Sequence, residues 1–361
     1  MSYFYGPVPS RRLGFSLGVN LTPKKLCTFN CVYCQLGETT KKTIKRFFYV
    51  DPVELKKELT KIVNRNPKID YISISGSGEP TLHKGLDKII DTIRETTNNK
   101  YRVCVITNSS LLYKKEVRKE LEKADLIIPS LDAATEESFS RIDKPHKQIT
   151  LKKIVDGLIN LRKEFKGKIW LEIMILGGIN DSLKEAGIFK KLVAKIKPDK
   201  VQLNLPIRPA GASIALPDYE RVKKIKKIIG KKCEIVSSFY KEAQPPAGRD
   251  SQNKFSTPLP DDRRYAFGGP RSNCGAGCRS TTGTNKKGTT GYAGGAPESV
   301  QSDIVKYLNI RPATLNDLEK FLGIQKNTLR KQLEKLLSLK FIAEKFYNRK
   351  TYFVCTNADF R

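Results

Sequence analysis

Histidine is nearly missing from this chain of 361 residues, which has only His83 and His146, and tryptophan occurs once. So few imidazoles exclude a metal site built on histidine ligands. Long apolar runs are missing too. No stretch approaches the roughly 18 apolar residues that cross a membrane, and Met1 to Arg12, with Pro7, Pro9, Arg11 and Arg12, lacks the apolar core of a secretory leader. Acidic residues are few, 37 against 67 Lys and Arg, for a formal charge of +30. Phosphate binding rests on clustered cations, yet lysine here is spread along every helical pattern, as in Leu55-Lys56-Lys57-Glu58 and Lys224-Ile225-Lys226-Lys227. The charge therefore fits either a polyanionic partner or solvated lysine-rich helix faces. The length suits about two domains. Eight cysteines without a leader imply a reducing, cytoplasmic setting rather than a disulfide framework.

Three of those cysteines are informative. Cys27, Cys31 and Cys34 stand in the spacing C-x3-C-x2-C within Leu26-Cys27-Thr28-Phe29-Asn30-Cys31-Val32-Tyr33-Cys34. A four-iron cube normally takes four thiolates, so three with no fourth nearby leave one iron open to another ligand. Zinc sites favour paired ligands totalling four, and no second pair lies near. Tyr33 places an aromatic face beside the open iron, which suits a purine. Cys104, Cys233 and Cys355 lie in apolar runs and read as small buried hydrophobes.

The loop resembles the cluster signature of the radical S-adenosylmethionine (radical SAM) superfamily. The resemblance implies a [4Fe–4S] cluster on Cys27, Cys31 and Cys34, with S-adenosyl-L-methionine chelated at the open iron. It also implies a low-potential electron donor of ferredoxin or flavodoxin type and an anaerobic or microaerobic host.

Strand and helix patterns alternate along the first two thirds of the chain. Apolar runs at 16–21, 70–75, 101–106, 125–129, 168–174 and 200–204 are separated by helical patterns near 52–63, 86–96, 114–123, 151–165, 183–196 and 219–230. Such repeats predict an α/β fold, a partial (β/α)6 TIM-type barrel over residues 1–243, with parallel strands and right-handed crossovers. Its chemistry belongs at the C-terminal strand ends.

Gly76-Ser77-Gly78-Glu79-Pro80-Thr81 follows the second strand, and there small residues admit a ligand and Glu79 can accept from an ammonium. This is similar to the family's glycine-rich motif for the methionine amino group. Asn108 and Asp132 end the next two strands, levels that in the family face ribose and carboxylate. A helix cap is the alternative for Asp132. Gly177 and Ile179 follow the fifth strand in a loop that resembles the adenine side of the family's site. Asn204 and Arg208 end the sixth, toward the substrate mouth, and His146 is either substrate-side or a loop-surface residue.

Tyr5-Gly6-Pro7-Val8-Pro9-Ser10-Arg11-Arg12-Leu13-Gly14, with Asp132, Arg141 and Pro145-His146, narrows the resemblance to an uncharacterised branch beside the tRNA wyosine-base synthases. Those carry a second cluster on cysteines upstream of the main loop. None precedes Cys27 here, so their reaction is not carried over.

Residues 244–297 are rich in Gly, Pro, Ser and Thr and read as a flexible linker or a corrupted coding stretch. Cys274 and Cys278 within it are too few for a metal site. Residues 298–361 read as a winged helix: three helices, then alternating strands about Asn348-Arg349-Lys350. Lys326, Arg330, Lys331, Arg349 and Lys350 would form a nucleic-acid-reading face, the alternative being a protein-docking module. The function expected is a radical SAM enzyme on an unknown substrate, with RNA or tRNA modification in view. The competing reading is a winged-helix regulator with a redox- or oxygen-sensing cluster. A pure sensor would not need Gly76 to Glu79, Asn108 and Asp132. Neither substrate nor oligomeric state can be read from these residues.

Overall fold

The computed structural model describes residues 2–208, 210, 214–236, 297–308, 312–348 and 350–356. Of the linker expected over 244–297, residues 244–296 lie outside the described residues, as do Cys274, Cys278 and Arg349, whereas Pro297 begins a helix. The strands β1 (Phe4–Ser10) and β2 (Gly14–Val19) make an antiparallel hairpin, followed by the short parallel pair β3 (Leu26–Cys27) and β4 (Lys41–Lys42). Then come α1 (Pro52–Val63), β5 (Tyr71–Ile74), α2 (Leu86–Thr96), β6 (Arg102–Thr107), α3 (Lys115–Glu120) and β7 (Leu126–Pro129). The series continues with α4 (Glu136–Ile142), α5 (Leu151–Glu164), β8 (Lys168–Met174), α6 (Leu183–Ile196), β9 (Lys200–Asn204), α7 (Tyr219–Ile229) and β10 (Cys233–Ile235).

The main sheet runs β1-β2-β5-β6-β7-β8-β9-β10, parallel from β2 onward. Sequential order with right-handed crossovers sends the helices to one face. That face is hydrocarbon: Leu17, Ile72, Val105, Ile127, Leu171 and Val201 are buried in one cluster with helix residues such as Leu55, Leu59, Ile89 and Phe189. Strand side chains alternate between faces, so Ser16, Ser73, Glu172 and Gln202 lie on the other face, buried but polar. There the Ser16 and Ser73 hydroxyls bond at 2.6 Å and Arg12 pairs with Glu172. A mixed α/β fold results, with an apolar, helix-covered sheet face and a second face where these polar groups stand beside an apolar patch of Leu13, Cys104, Leu126 and Ile128.

Five elements go beyond the sequence expectation, the two-residue strands β3 and β4 among them. β1 contains Pro7 and Pro9, which are tolerated in a strand at a sheet edge, and its register slips between Tyr5 and Val8. α4 is seven residues long, too short to display a helical repeat, and is fixed by a capping box between Thr135 and Ser138. β10 is a three-residue edge strand.

The second described segment holds α8 (Pro297–Leu308), α9 (Leu315–Leu322), α10 (Lys326–Ser338) and the antiparallel hairpin β11 (Ile342–Tyr347) and β12 (Lys350–Cys355). Thr314 and Asp317 form the capping box that starts α9. Its core gathers Ile304, Leu318, Leu329, Leu333, Ile342 and Phe353, and Val8 of β1 belongs to the same cluster. The hydroxyls of Tyr347 and Tyr352 donate to the carbonyls of Pro206 and Ile207, at 2.6 and 2.9 Å, just past β9. Among the described residues no helix is long and apolar enough to cross a membrane.

Candidate cluster and cofactor site

The cysteine loop leaves β3 and is braced from two sides. On one side Lys25 N–H donates to Ser77 O at 2.7 Å and Glu79 N–H to Leu26 O at 3.1 Å. On the other, the N–H groups of Asn30 and Val32 donate to Asp143 O and Ile142 O at 2.9 Å each, at the end of α4, and His146 N–H donates to Thr28 O at 2.9 Å. Phe29 is buried edge-on against Phe139 of α4, ring centroids 5.7 Å apart. These bonds satisfy loop backbone groups that would otherwise be buried unpaired, so the loop's shape is set by long-range partners.

All three thiols are half-buried and free, and each meets a different neighbour. Asn108 Nδ2 lies 3.5 Å from Cys27 Sγ, the Cys31 thiol donates to Asp143 Oδ1 at 3.3 Å, and Lys25 Nζ lies 3.3 Å from Cys34 Sγ while also donating to Gly37 O. Burial pushes the Cys27 thiol up to about 12, with the charge of Glu79 adding to it, and pushes Cys31 well above the thiol range. Buried thiols of this kind stay protonated until a bound metal supplies the positive charge that ionises them. One loop carrying three thiols, with a cation and an amide aimed at two of the sulfurs, fits a three-cornered iron–sulfur ligand set. Lys25 and Asp143 escaped the sequence reading, since nothing local marks a lysine or an aspartate that will meet a cysteine in the fold.

Gly78 owes its identity to the protein's own backbone. A side chain there would collide with Leu26 O and approach Thr22 Oγ1 to 2.7 Å, so the turn packs directly under the cysteine loop. Gly76, at φ +144°, lies against Asn20, whose Oδ1 accepts from Ser77 N–H at 3.2 Å. Glu79 is buried, and its carboxylate accepts from the Thr81 N–H, the Thr81 hydroxyl, the Thr107 hydroxyl and the Asn108 N–H at 2.6 to 3.0 Å. The residue expected to meet a ligand's ammonium is thus first a brace tying the ends of β5 and β6 together.

The neighbouring strand ends interlock in the same way. Asn108 Nδ2 also donates to Thr28 Oγ1 at 2.8 Å. Asp132 caps no helix: it accepts from Met174 N–H at 2.8 Å and from the Tyr33 hydroxyl. Burial pushes its carboxyl up to about 6, against the pull of those two bonds, and Asp143 is pushed well above the carboxylate range by burial and by the charge of Asp132. Asn108, Ser130, Asp132 and Asp143 line one small cavity of about 10 Å³. The Tyr33 ring, read from the sequence as a purine surface, packs with Met174, Leu176 and Ile179 while its hydroxyl faces Asp132. Asn180 is a buried organiser that the sequence reading passed over, its amide donating to Asp132 O and Met174 O at 2.7 Å each.

Gly177 donates its N–H to Ala215 O at 3.0 Å, and Leu216 O lies where a side chain would begin. Asn204 is buried, its Oδ1 accepting from Leu205 N–H. Arg208 follows β9 next to the carbonyl held by Tyr352. His146 is half-buried, with a loop backbone contact to Thr28. In the second segment Lys326, Arg330 and Lys331 are exposed on α10, Lys326 pairing with Glu319 at 3.6 Å, and Lys350 is half-buried at the start of β12.

Residues 21–186 match the family described as the Radical SAM superfamily. A GTPase Obg of Brachyspira hyodysenteriae is 48% identical over 235 residues, 64% of this chain and 34% of that protein. A UPF0026 protein of Methanocaldococcus jannaschii is 38% identical over 249 residues, 66% of this chain and 76% of that protein. A dual-specificity RNA methyltransferase of Lawsonia intracellularis is 31% identical over 170 residues, 46% of this chain and 47% of that protein. The chain thus spans about a third of the first relative and about half of the last.

Proposed function

The chain belongs to the UPF0026 family and is a radical SAM enzyme, and from that premise we propose that it modifies RNA by radical chemistry begun on Cys27, Cys31 and Cys34. Its cofactors are a [4Fe–4S] cluster and S-adenosylmethionine. When bound, the cluster supplies the electron with which the sulfonium cofactor is opened.

The chain's own residues prepare the place. The three thiols hold three corners, while Gly76, Gly78 and Glu79 keep the 75–79 turn seated beneath them, leaving turn backbone and one acceptor position on Glu79 Oε2 for the cofactor's amino group. Asn108, Asp132, Tyr33, Gly177, Ile179 and Asn204 continue along the strand ends and are assigned to the remainder of the cofactor. Asp132, its pKa raised to about 6 by burial, is placed to accept from a ribose hydroxyl near neutrality. Residues 1–243 are read as the partial barrel and 298–361 as the winged helix, whose Lys326, Arg330 and Lys331 would contact phosphates.

The single observation that carries the chemistry is the pairing of three thiols on one braced loop with three separate polar neighbours. The RNA assignment is supported by the likeness to an RNA methyltransferase and by the exposed cations of α10. Reconstituted anaerobically and given dithionite, the protein should convert S-adenosylmethionine to 5′-deoxyadenosine. Mass spectrometry of nucleosides from a deletion strain should then reveal one RNA modification lost relative to wild type. Deoxyadenosine formation with an unchanged nucleoside profile would retain the enzyme class and discard RNA as substrate.

A further inference from the structure

Residues 43–48 carry the chain away from the cysteine loop and hold it firmly while doing so. Thr43 N–H donates to Cys27 O at 2.9 Å, and Phe47 forms a bridge with His83. Arg46 is buried, donating to Thr81 O at 2.7 Å and His83 O at 2.8 Å and pairing with Glu120. With the backbone pinned at this residue, the two that follow are turned outward: Phe47 is 54% exposed and Phe48 69%. Their rings are packed edge-on, Phe47 with Tyr49 at 6.1 Å and Phe48 with His83 at 6.2 Å, so the exposed surface is ordered.

The two phenylalanines lie in a groove of about 920 Å³. Lys45, Lys84, Lys88, Lys114 and Lys119 stand around it, and the carboxylates of Asp87 and Glu116 stand among them. An exposed apolar patch with a charged rim marks a surface that associates with something. Position says with what. The groove begins next to the residue bonded to Cys27, and a chain of direct hydrogen bonds runs from Arg46 through Thr81, Glu79 and Asn108 to the Cys27 sulfur.

We infer that this groove is the docking surface of the electron carrier, a small acidic flavin or iron–sulfur protein, that reduces the cluster. The inference rests on the reading of the three-cysteine loop given above. An apolar centre ringed by lysines complements a protein whose redox group emerges from an acidic surface, and such charge complementarity sets association rate and orientation. The carboxylates decide against a nucleic-acid strand: they repel a run of phosphates, whereas a protein can meet them with lysines of its own. In the transfer one electron leaves the reduced carrier and enters the cluster. The carrier is left oxidised by one electron, and no atom or proton moves.

The test uses the full-length reconstituted protein with reduced bacterial flavodoxin as the probe. Stopped-flow spectroscopy follows flavodoxin oxidation, and paramagnetic resonance counts reduced clusters. Two variants are compared with wild type: the charge reversal Lys84→Glu/Lys88→Glu/Lys119→Glu and the pair Phe47→Ser/Phe48→Ser. Both should accept electrons from flavodoxin more than 10-fold more slowly at low salt, the wild-type rate should fall as salt rises, and reduction by dithionite should be the same for all three proteins. Unchanged flavodoxin rates in the variants would overturn the inference. So would equally slowed dithionite reduction, which would make the groove a structural support of the cluster. If wild type takes electrons from dithionite but from neither flavodoxin nor a two-cluster ferredoxin, docking here is likewise refuted. Anisotropy with a fluorescent 12-nucleotide uridine strand closes the remaining route: tight binding lost in both variants, with electron transfer intact, would hand the groove to RNA. Failure to assemble any cluster would instead strike at the reading of the cysteine loop itself.

Discussion

Around the cysteine loop polar side chains point inward and bond to one another; on α10 the basic side chains stand outward over a hydrocarbon interior. Glu79 and Asp132 are buried with every neighbour engaged, while Arg330 and Lys331 stand in solvent over Leu329, Leu333 and Leu336. The difference separates two ways of carrying function. In the first region position is the function, so a substitution damages stability and chemistry together. In the second, the function proposed above rests on charge, which can be removed while the fold stands.

The largest break in this comparison should come from the ligands. Cys27→Ala, Cys31→Ala and Cys34→Ala should each abolish cluster retention and deoxyadenosine formation, measured as iron per chain and by chromatography. Gly78→Val should come close behind, because its side chain would occupy the position of Leu26 O and push the cysteine loop away. Iron retained at the wild-type level in that variant would mean that the turn does not seat the loop.

Glu79→Ala should destabilise the metal-free protein by about 3 kcal/mol in urea unfolding, since it strands the buried N–H groups of Thr81 and Asn108. Comparable in size is a pH effect. The Asp132 carboxyl is raised from 3.8 to about 6 by burial, so the folded chain binds its proton more tightly than the unfolded chain does. The stability this contributes is complete below pH 3.8 and is lost as pH rises to about 6. It should amount to about 3 kcal/mol. Asp143 shares the direction of the shift, so Asp132→Asn should flatten the stability–pH curve in this window without making it level. The smallest expected change in stability belongs to Arg330→Ala/Lys331→Ala, within about 0.5 kcal/mol of wild type. On duplex nucleic acid the same pair should lower the salt slope by about 0.9 for each phosphate contact removed, measured by anisotropy.

What the sequence made legible was local. Period-two and helical patterns placed the strands that carry the site and the helices between them. The spacing of Cys27, Cys31 and Cys34 announced a ligand set. What remained hidden was which residues meet across the fold. Asp143 reaches Cys31 over 112 positions, and no periodicity encodes that encounter. Gly78 was legible as necessary, but its contact with Leu26 O was not, because a glycine gives no sign of whether a ligand or a backbone carbonyl fills the space it leaves. Tyr33 displayed a ring in the sequence, and only the fold gave its hydroxyl to Asp132.

The apolar cluster that joins Val8 to Ile304, Leu318 and Phe353, together with the two tyrosine hydroxyls seated on Pro206 and Ile207, gives the chain a second connection between its ends that owes nothing to peptide bonds. A protease cut anywhere between Ile235 and Pro297 should therefore leave a two-piece protein that travels as one through gel filtration. The pieces, expressed separately and mixed, should find each other. A truncation at the same place would uncover Val8 to water and release the carbonyls beyond β9, so losing the last sixty-odd residues should be felt at the opposite terminus of the chain.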